Sequence, residues 1–176
     1  NFGLDGQFAP WVCALIPDVK QEILLITDPG KEEETVTRLA RVGYDYVVGY
    51  LNGGIEAWQS AGKEVDKIKR ISAEEFEKEV SINSDVVVDV RKPGEYEAEH
   101  LENAVSIPLD FINEQLASYP KDKHFYMHCA GGYRSMIAAS ILKSRGYDNF
   151  TEIAGGFNAI SKTSLPKTSF VCQSKK

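Results

Sequence analysis

One cysteine, two glycines and an arginine fall within six residues. The stretch reads His128-Cys129-Ala130-Gly131-Gly132-Tyr133-Arg134-Ser135. An apolar-leaning run, residues 124–128, leads into Cys129, and a run with helical periodicity follows from Ser135 onward. Read as strand, loop and helix, this order places a thiol at the mouth of a loop that can wrap around it. Glycines let a backbone turn its N–H groups inward, and a helix start adds unpaired N–H groups of its own. Such a nest attracts an anion and favours the thiolate, with the Arg134 guanidinium adding a permanent positive charge. The reading is a nucleophilic cysteine. A buried inert thiol beside an ordinary turn would explain Cys129 but not the glycines and the arginine together.

The rest of the 176 residues bounds what this thiol can serve. Apolar residues make up 43% and charged residues 26%, an ordinary globular mixture. The net charge of -6 argues against general nucleic-acid binding. No apolar run reaches the roughly 18 residues that a membrane span needs. Cys13, Cys129 and Cys172 show no paired spacing, which points to a reducing, cytoplasmic setting. No Cys-x-x-Cys pair or His/Cys cluster suggests a metal site, and no cofactor is implied. The first residue is not methionine, so the chain is expected to be a piece of something longer.

The elements that must position the thiol alternate between strand and helix. Phe8, Trp11, Val12, Leu15 and Ile16 can line a short helix, with Cys13 expected inside it as a small buried hydrophobe. Residues 22–27 read as a strand. Residues 32–41 read as a helix with Val36, Leu39 and Ala40 as its apolar positions, and 46–50 as a second strand. After a polar stretch, Ser72 and Glu75 have capping-box spacing for a helix over 73–80. Residues 85–90, Asp-Val-Val-Val-Asp-Val, give the strongest strand signal. A short strand over 103–108 follows, then a helix that Asp110 would cap through Leu116. The organisation expected is residues 1–65, residues 66–160, and a polar tail over 161–176 with little fixed structure.

The first two segments echo each other. Gly43-Tyr44-Asp45 matches Gly146-Tyr147-Asp148, and Gly53-Gly54-Ile55-Glu56-Ala57 matches Gly155-Gly156-Phe157-Asn158-Ala159. The position equivalent to Cys129 falls near residues 26–28, where there is no cysteine. Asp28, Glu32, Glu33 and Glu34 flank it and would oppose an anion. The first segment is therefore expected to be catalytically silent.

Residues 68–160 resemble a rhodanese domain. The resemblance rests on Asp89-Val90-Arg91, Glu95-Tyr96 with Ala98 and His100, Ile107-Pro108, Cys129 to Ser135, and Gly155-Gly156. It implies an α/β fold with a central parallel sheet flanked by helices. Residues 1–65 resemble a truncated, cysteine-less rhodanese repeat. The pair is similar to the C-terminal part of bacterial proteins with a metallo-β-lactamase-fold domain ahead of two rhodanese repeats. In the family the cysteine carries sulfane sulfur as a persulfide. Carried over, Cys129 is the nucleophile, and the N–H groups of Ala130, Gly131, Gly132, Tyr133 and Arg134 hold the thiolate or its outer sulfur. Asp89 braces Arg91, Arg91 and Arg134 shape the pocket's charge, and His100 and Ser135 support it. His128, one residue from the thiol, is read as packed support facing the other way. Where the family has Gly-His-Ile-Pro-Gly-Ala, this chain has Glu99-His100-Leu101-Glu102-Asn103-Ala104. Asn103 can take the left-handed geometry of the missing glycine, and the two glutamates disfavour a dianionic donor such as thiosulfate.

The implied activity is sulfur transfer from a persulfide or thiosulfate donor to a thiol or cyanide, with a small molecule or a protein persulfide as partner. One alternative is a sulfur-relay or interaction module attached to an upstream metal-dependent hydrolase or persulfide dioxygenase-like domain. A remote one is a cysteine phosphatase. Those enzymes have five residues between cysteine and arginine; here there are four, which suits a sulfur atom better than a tetrahedral phosphate.

Overall fold

The computed structural model describes residues 1–81 and 84–168. The chain divides into two compact units, one covering Phe2–Lys67 and the other starting at Ile68.

In the first unit, helix α1 (Phe8–Leu15) precedes strand β1 (Ile23–Leu25), helix α2 (Glu32–Ala40), strand β2 (Val47–Tyr50) and helix α3 (Gly54–Ser60). β1 and β2 pair in parallel. Phe8, Val12, Leu25, Leu39 and Tyr44 form its core. Two expectations are corrected here. Cys13 is exposed, because Phe8, Trp11, Val12 and Leu15 already form the i, i+3, i+4, i+7 stripe that α1 buries. In α2 the buried positions are Thr35 and Leu39, while Val36 and Ala40 are exposed. Thr35 tolerates burial because its hydroxyl donates to the Lys31 carbonyl at 2.6 Å.

The second unit is a five-stranded parallel sheet flanked by helices. Its elements are β3 (Arg70–Ile71), α4 (Ala73–Glu79), β4 (Val86–Asp89), α5 (Pro93–Ala98), β5 (Val105–Ser106), β6 (Phe125–His128), α6 (Tyr133–Ser144), β7 (Phe150–Ile153) and α7 (Gly156–Ile160). The strand order is β3-β7-β6-β4-β5. β4 lies inside this order, which is why Val86, Val87 and Val88 read as an unbroken apolar run rather than an alternating one. Ser72 caps α4 reciprocally: its hydroxyl accepts from the Glu75 N–H at 3.1 Å, and its own N–H donates to Glu75 Oε2 at 2.8 Å. A cap of this kind contributes about 1 kcal/mol.

The helix expected from Asp110 to Leu116 is two separate 3₁₀ turns, Leu109–Phe111 and Leu116–Ser118. Leu109 and Ile112 are both wholly buried, and a three-residue spacing brings them to one side in a 3₁₀ turn. Asn103 takes φ 63, the left-handed geometry expected of it. The start of the tail is fastened rather than loose. Thr168 N–H donates to the His100 carbonyl at 2.9 Å, Glu102 N–H donates to the Pro166 carbonyl at 3.0 Å, and Lys167 bridges to Leu101. Cys172 lies outside the described residues.

Candidate active site

Cys129 immediately follows β6, at the C-terminal edge of the parallel sheet, where the strand order turns from β7 to β4. Crevices of open parallel sheets form at this edge. The thiol is buried, 1% exposed. The chain then reverses through Gly132, whose φ of 104 a side chain would oppose, and enters α6 at Tyr133. That reversal brings the Gly132 N–H onto Cys129 Sγ at 3.1 Å. Ser135 Oγ stands 3.4 Å from the same sulfur. The sulfur thus sits at the head of a twelve-residue helix with a backbone donor aimed at it.

A second glycine pair holds the loop from behind. Gly155 and Gly156 take φ 76 and 53 where β7 turns into α7. A Cβ on Gly156 would overlap the Cys129 carbonyl oxygen and lie 2.8 Å from the Ala130 carbonyl group. With no Cβ there, the first N–H groups of α7 reach those carbonyls: Phe157 donates to Cys129 at 2.7 Å and Asn158 to Ala130 at 2.9 Å.

The end of β4 is a closed ionic knot. Asp89 is wholly buried and Arg91 is 5% exposed. Arg91 Nε and Nη2 donate to the Asp89 carboxylate at 2.9 and 2.7 Å, and the Arg91 N–H also donates to it at 2.9 Å. The remaining reach of the guanidinium goes to the Glu99 carbonyl at 2.7 Å and over the Phe157 ring at 4.0 Å. Asp89 so ties the turn after β4 to α7, under the loop. His128 is wholly buried; its Nδ1 is 3.2 Å from the Cys129 carbonyl oxygen and 4.0 Å from Asp89. Burial pushes its pKa down, against the pull of the Asp89 carboxylate.

Arg134, expected to close the loop with a permanent positive charge, is paired in the structure. It is clamped by Glu95 of α5, Nη1 to Oε2 and Nη2 to Oε1. The guanidinium bonds hold the Glu95 carboxyl below its usual range, with partial burial opposing. Glu95 Oε2 also accepts from the Lys92 N–H at 3.2 Å, so one carboxylate starts α5 and anchors the far end of the loop. His100 stacks on Tyr96, ring centroids 3.7 Å apart, and its Nδ1 lies 2.6 Å from the Tyr96 carbonyl oxygen. Those contacts hold α5 to the segment after it. Tyr133 is half-buried at the start of α6, and Gly131 is the exposed member of the loop.

The structure brings Cys129, Gly132, Arg134 and Ser135 together with Asp89 and Arg91 behind them. It also brings in a residue to which no role was assigned from the sequence. Glu152 in β7 is wholly buried and accepts from the Ser135 hydroxyl at 2.6 Å and from Arg70 Nε at 2.6 Å. No local signal marked it, because a glutamate argues against a buried strand until its partner is seen. Among the described residues no group of three or more His, Cys, Asp or Glu is placed to hold a metal ion. No helix among them is long and apolar enough to cross a membrane.

A parallel α/β sheet with a thiol loop at the end of a central strand defines the rhodanese-like class. The family model for the Rhodanese-like domain matches residues 72–163, more than half of the 176, and the chain belongs to this family. The match is to one domain, and carries neither a tandem arrangement nor a metallo-β-lactamase fold. A rhodanese-related protein from Thermoplasma volcanium superposes with TM-score 0.51 at 27% identity, covering 57% of this chain and 97% of that one. A rhodanese-like domain protein from Staphylococcus aureus gives TM-score 0.50 at 31% identity, covering 56% and 97%. Among curated relatives, the tRNA uridine(34) hydroxylase of Erwinia tasmaniensis is 39% identical over 77 residues, 40% of this chain and 22% of its own length. That of Photorhabdus laumondii is 33% identical over 92 residues, 49% and 26%. The chain therefore spans about a quarter or less of these two relatives. Family and fold together support a sulfurtransferase-type role in general.

Proposed function

We propose that this chain moves sulfane sulfur through a persulfide on Cys129. The observation that carries the reading is the Gly132 N–H on the Cys129 sulfur at 3.1 Å, at the head of α6. A buried donor aimed at sulfur favours negative charge there, both on the thiolate and on the departing pair of electrons. In the first half-reaction the Cys129 thiolate attacks the outer sulfur of a donor persulfide. The donor S–S bond breaks, its electron pair leaves with the donor thiolate, and Cys129 carries the outer sulfur. In the second, an acceptor thiolate or cyanide attacks that sulfur and returns Cys129 as thiolate. This is ping-pong covalent catalysis and asks for no metal or organic cofactor. The loop from Ala130 to Arg134 cradles the outer sulfur. Asp89, Arg91, His100 and Ser135 keep it in shape. The reading fits a reducing, cytoplasmic setting. The acidic balance of -6 gives no general footing for tRNA, so the relatives' named activity is not part of the proposal.

The first unit fits a cysteine-less half of the same fold. Gly53 and Gly54 take φ 78 and 59, close to Gly155 and Gly156, and a Cβ on Gly54 would overlap the Thr27 carbonyl as one on Gly156 would overlap that of Cys129. Thr27 then stands where the thiol stands, and a threonine hydroxyl carries no sulfane sulfur.

The test is by mass. Reduced protein incubated with a low-molecular-weight persulfide, and separately with thiosulfate, gains one sulfur atom on the peptide holding Cys129. Cyanide or a thiol removes it, and Cys129→Ser abolishes both steps while staying folded. No gain from any sulfur donor defeats the transferase reading and leaves an interaction module. Hydrolysis of a phosphate ester in place of sulfur uptake would select the phosphatase.

A further inference from the structure

Arg134, Arg91 and Arg70 stand around the Cys129 loop, and the first two are fully engaged. Arg134 is held by Glu95 through both of its Nη groups. Arg91 is 5% exposed, enclosed by Asp89, the Glu99 carbonyl and the Phe157 ring. Arg70 of β3 differs. Its Nε donates to the buried Glu152 carboxylate at 2.6 Å, yet its side chain is 45% exposed. Among the described residues its two Nη groups have no partner. A guanidinium carries five donors in a planar fork, and here the Nη edge of that fork is open.

The open edge lies against the loop. Arg70 Nη2 is 3.6 Å from the point that a Cβ on Gly132 would occupy, and Gly132 is the residue whose N–H reaches Cys129 Sγ at 3.1 Å. The neighbouring glycine has a polar companion of its own. Asn158 of α7 is exposed, and its side-chain nitrogen lies 3.7 Å from the point that a Cβ on Gly131 would occupy. That amide also has no partner among the described residues, so it is free to turn its NH₂ group to an incoming oxygen. A side chain at 131 or 132 would stand against these donors, and glycine leaves the space open.

We propose that Arg70, seconded by Asn158, forms a carboxylate subsite beside the thiol, and that the small donors and acceptors served by Cys129 are thiols and persulfides bearing one carboxylate, as an amino-acid thiol does. The proposal rests on the sulfur-transfer reading of Cys129 and names a substrate class for it. The two Nη groups match the two oxygens of a planar carboxylate. Glu152 already offsets the Arg70 charge, so the fork favours one added negative charge over two.

The test compares alkylation rates of Cys129, followed by peptide mass with no sulfur donor present: iodoacetate over iodoacetamide, and iodopropionate over iodopropionamide. Both members of a pair react with the same thiolate, so its amount and its burial cancel in the ratio. The unmodified protein is expected to favour the carboxylate in at least one pair by roughly 5-fold relative to a free small thiol, the scale of one half-exposed ion pair. Arg70→Gln with Glu152→Gln removes one charge of each sign, so net charge is kept while the fork is lost. The ratio should then fall to that of the free thiol, and Asn158→Ala should lower it by less. A purely structural Arg70 would slow both members alike and leave the ratio in place. A free-thiol ratio in the unmodified protein, or the unmodified ratio in the folded double variant, overturns the proposal. If the double variant does not fold, Asn158→Ala decides, because that side chain is exposed and unpartnered; an unmoved ratio there overturns it. Alkylation needs no sulfur donor, so failure here is distinct from failure of the sulfur-transfer reading, which the mass gain on the unmodified protein tests.

Discussion

Arg134 and Glu95 meet as a two-pronged ion pair, Nη1 to Oε2 at 2.5 Å and Nη2 to Oε1 at 2.8 Å, joining the start of α6 to the start of α5. The arginine that ends the thiol loop is therefore a brace with its charge neutralised in place. Arg91 has the same fate against Asp89. Both guanidiniums, expected to shape the pocket and its charge, are held by carboxylates beside Cys129.

Loosening the first brace should slow the chemistry without unfolding the protein. Glu95→Gln leaves the Lys92 end of α5 roughly intact and halves the grip on Arg134. Sulfur uptake by Cys129 is expected to fall about 3- to 10-fold, the scale of one partly exposed ion pair. Hydrogen exchange at residues 131–134 should rise with it. Glu95 has a lowered pKa, so its hold on Arg134 is fully present above the ordinary carboxylate value and lost as pH falls through the lowered one. Exchange in the loop should accordingly rise at acid pH in the unmodified protein and be pH-independent there in Glu95→Gln.

Removing Asp89 is a different matter, because both members of its pair are buried. Asp89→Ala leaves Arg91 uncompensated beside Phe157. The expected cost is about 3–5 kcal/mol of stability, measured by urea unfolding. A loss below about 1 kcal/mol, the scale of a surface pair, would mean Arg91 finds another partner.

Gly156→Ala tests the packing behind the thiol. The new methyl group would collide with the Cys129 carbonyl, at a backbone φ of 53 that alanine disfavours. Strain of this kind costs about 1–3 kcal/mol before any clash is counted. Stability is expected to drop by at least that much, and alkylation of Cys129 to change with it. The matching change at Gly131, whose φ is not left-handed and whose nearest neighbour is 3.7 Å from the added carbon, should be nearly silent for stability.

His128 gives the second unit an acid limit. Its folded pKa is lowered by burial, so the unfolded chain binds the proton first as pH falls. Stability from this group is whole above the ordinary histidine value of 6.5 and is lost as pH drops below it, by about 1.4 kcal/mol per pH unit until the folded pKa is reached. Urea midpoints between pH 7 and 5 should show this slope, and His128→Asn should flatten it.

What could be read from the sequence followed the strength of local signals. The valine run ending at Asp89 and the glycine loop after Cys129 are local, and both led to the site. Cys13 was misplaced because a cysteine fits either side of α1, and the four larger apolar residues decided which side faces the core. Helix α2 was turned the wrong way because Thr35 looks polar until its hydroxyl is seen bonded to Lys31. β3 and β7 were not read at all. Arg70 and Glu152, 82 residues apart, make a pair that only the folded sheet brings together, and without its partner a glutamate argues against a buried strand. The role of Glu95 was invisible for the same reason: its helix is six residues long and its partner is 39 residues away.

Donor choice follows from the neutralised arginines. Thiosulfate is a dianion, and a pocket that held it well would present unpaired positive charge. Here Arg134 faces Glu95 and Arg91 faces Asp89, and Glu99 and Glu102 carry exposed carboxylates. The donor seen on the sulfur is the Gly132 backbone N–H, which suits a single charge or none. A neutral or protein-bound persulfide should therefore load Cys129 faster than thiosulfate at low salt. Raising the salt screens the exposed glutamates over a Debye length of about 10 Å at 0.1 M, so the gap should narrow as ionic strength rises. Glu99→Gln with Glu102→Gln should narrow it in the same direction without added salt. Loading rates by mass, with both donors across a salt series, decide the matter; thiosulfate leading at low salt would show that the two ion pairs open during turnover.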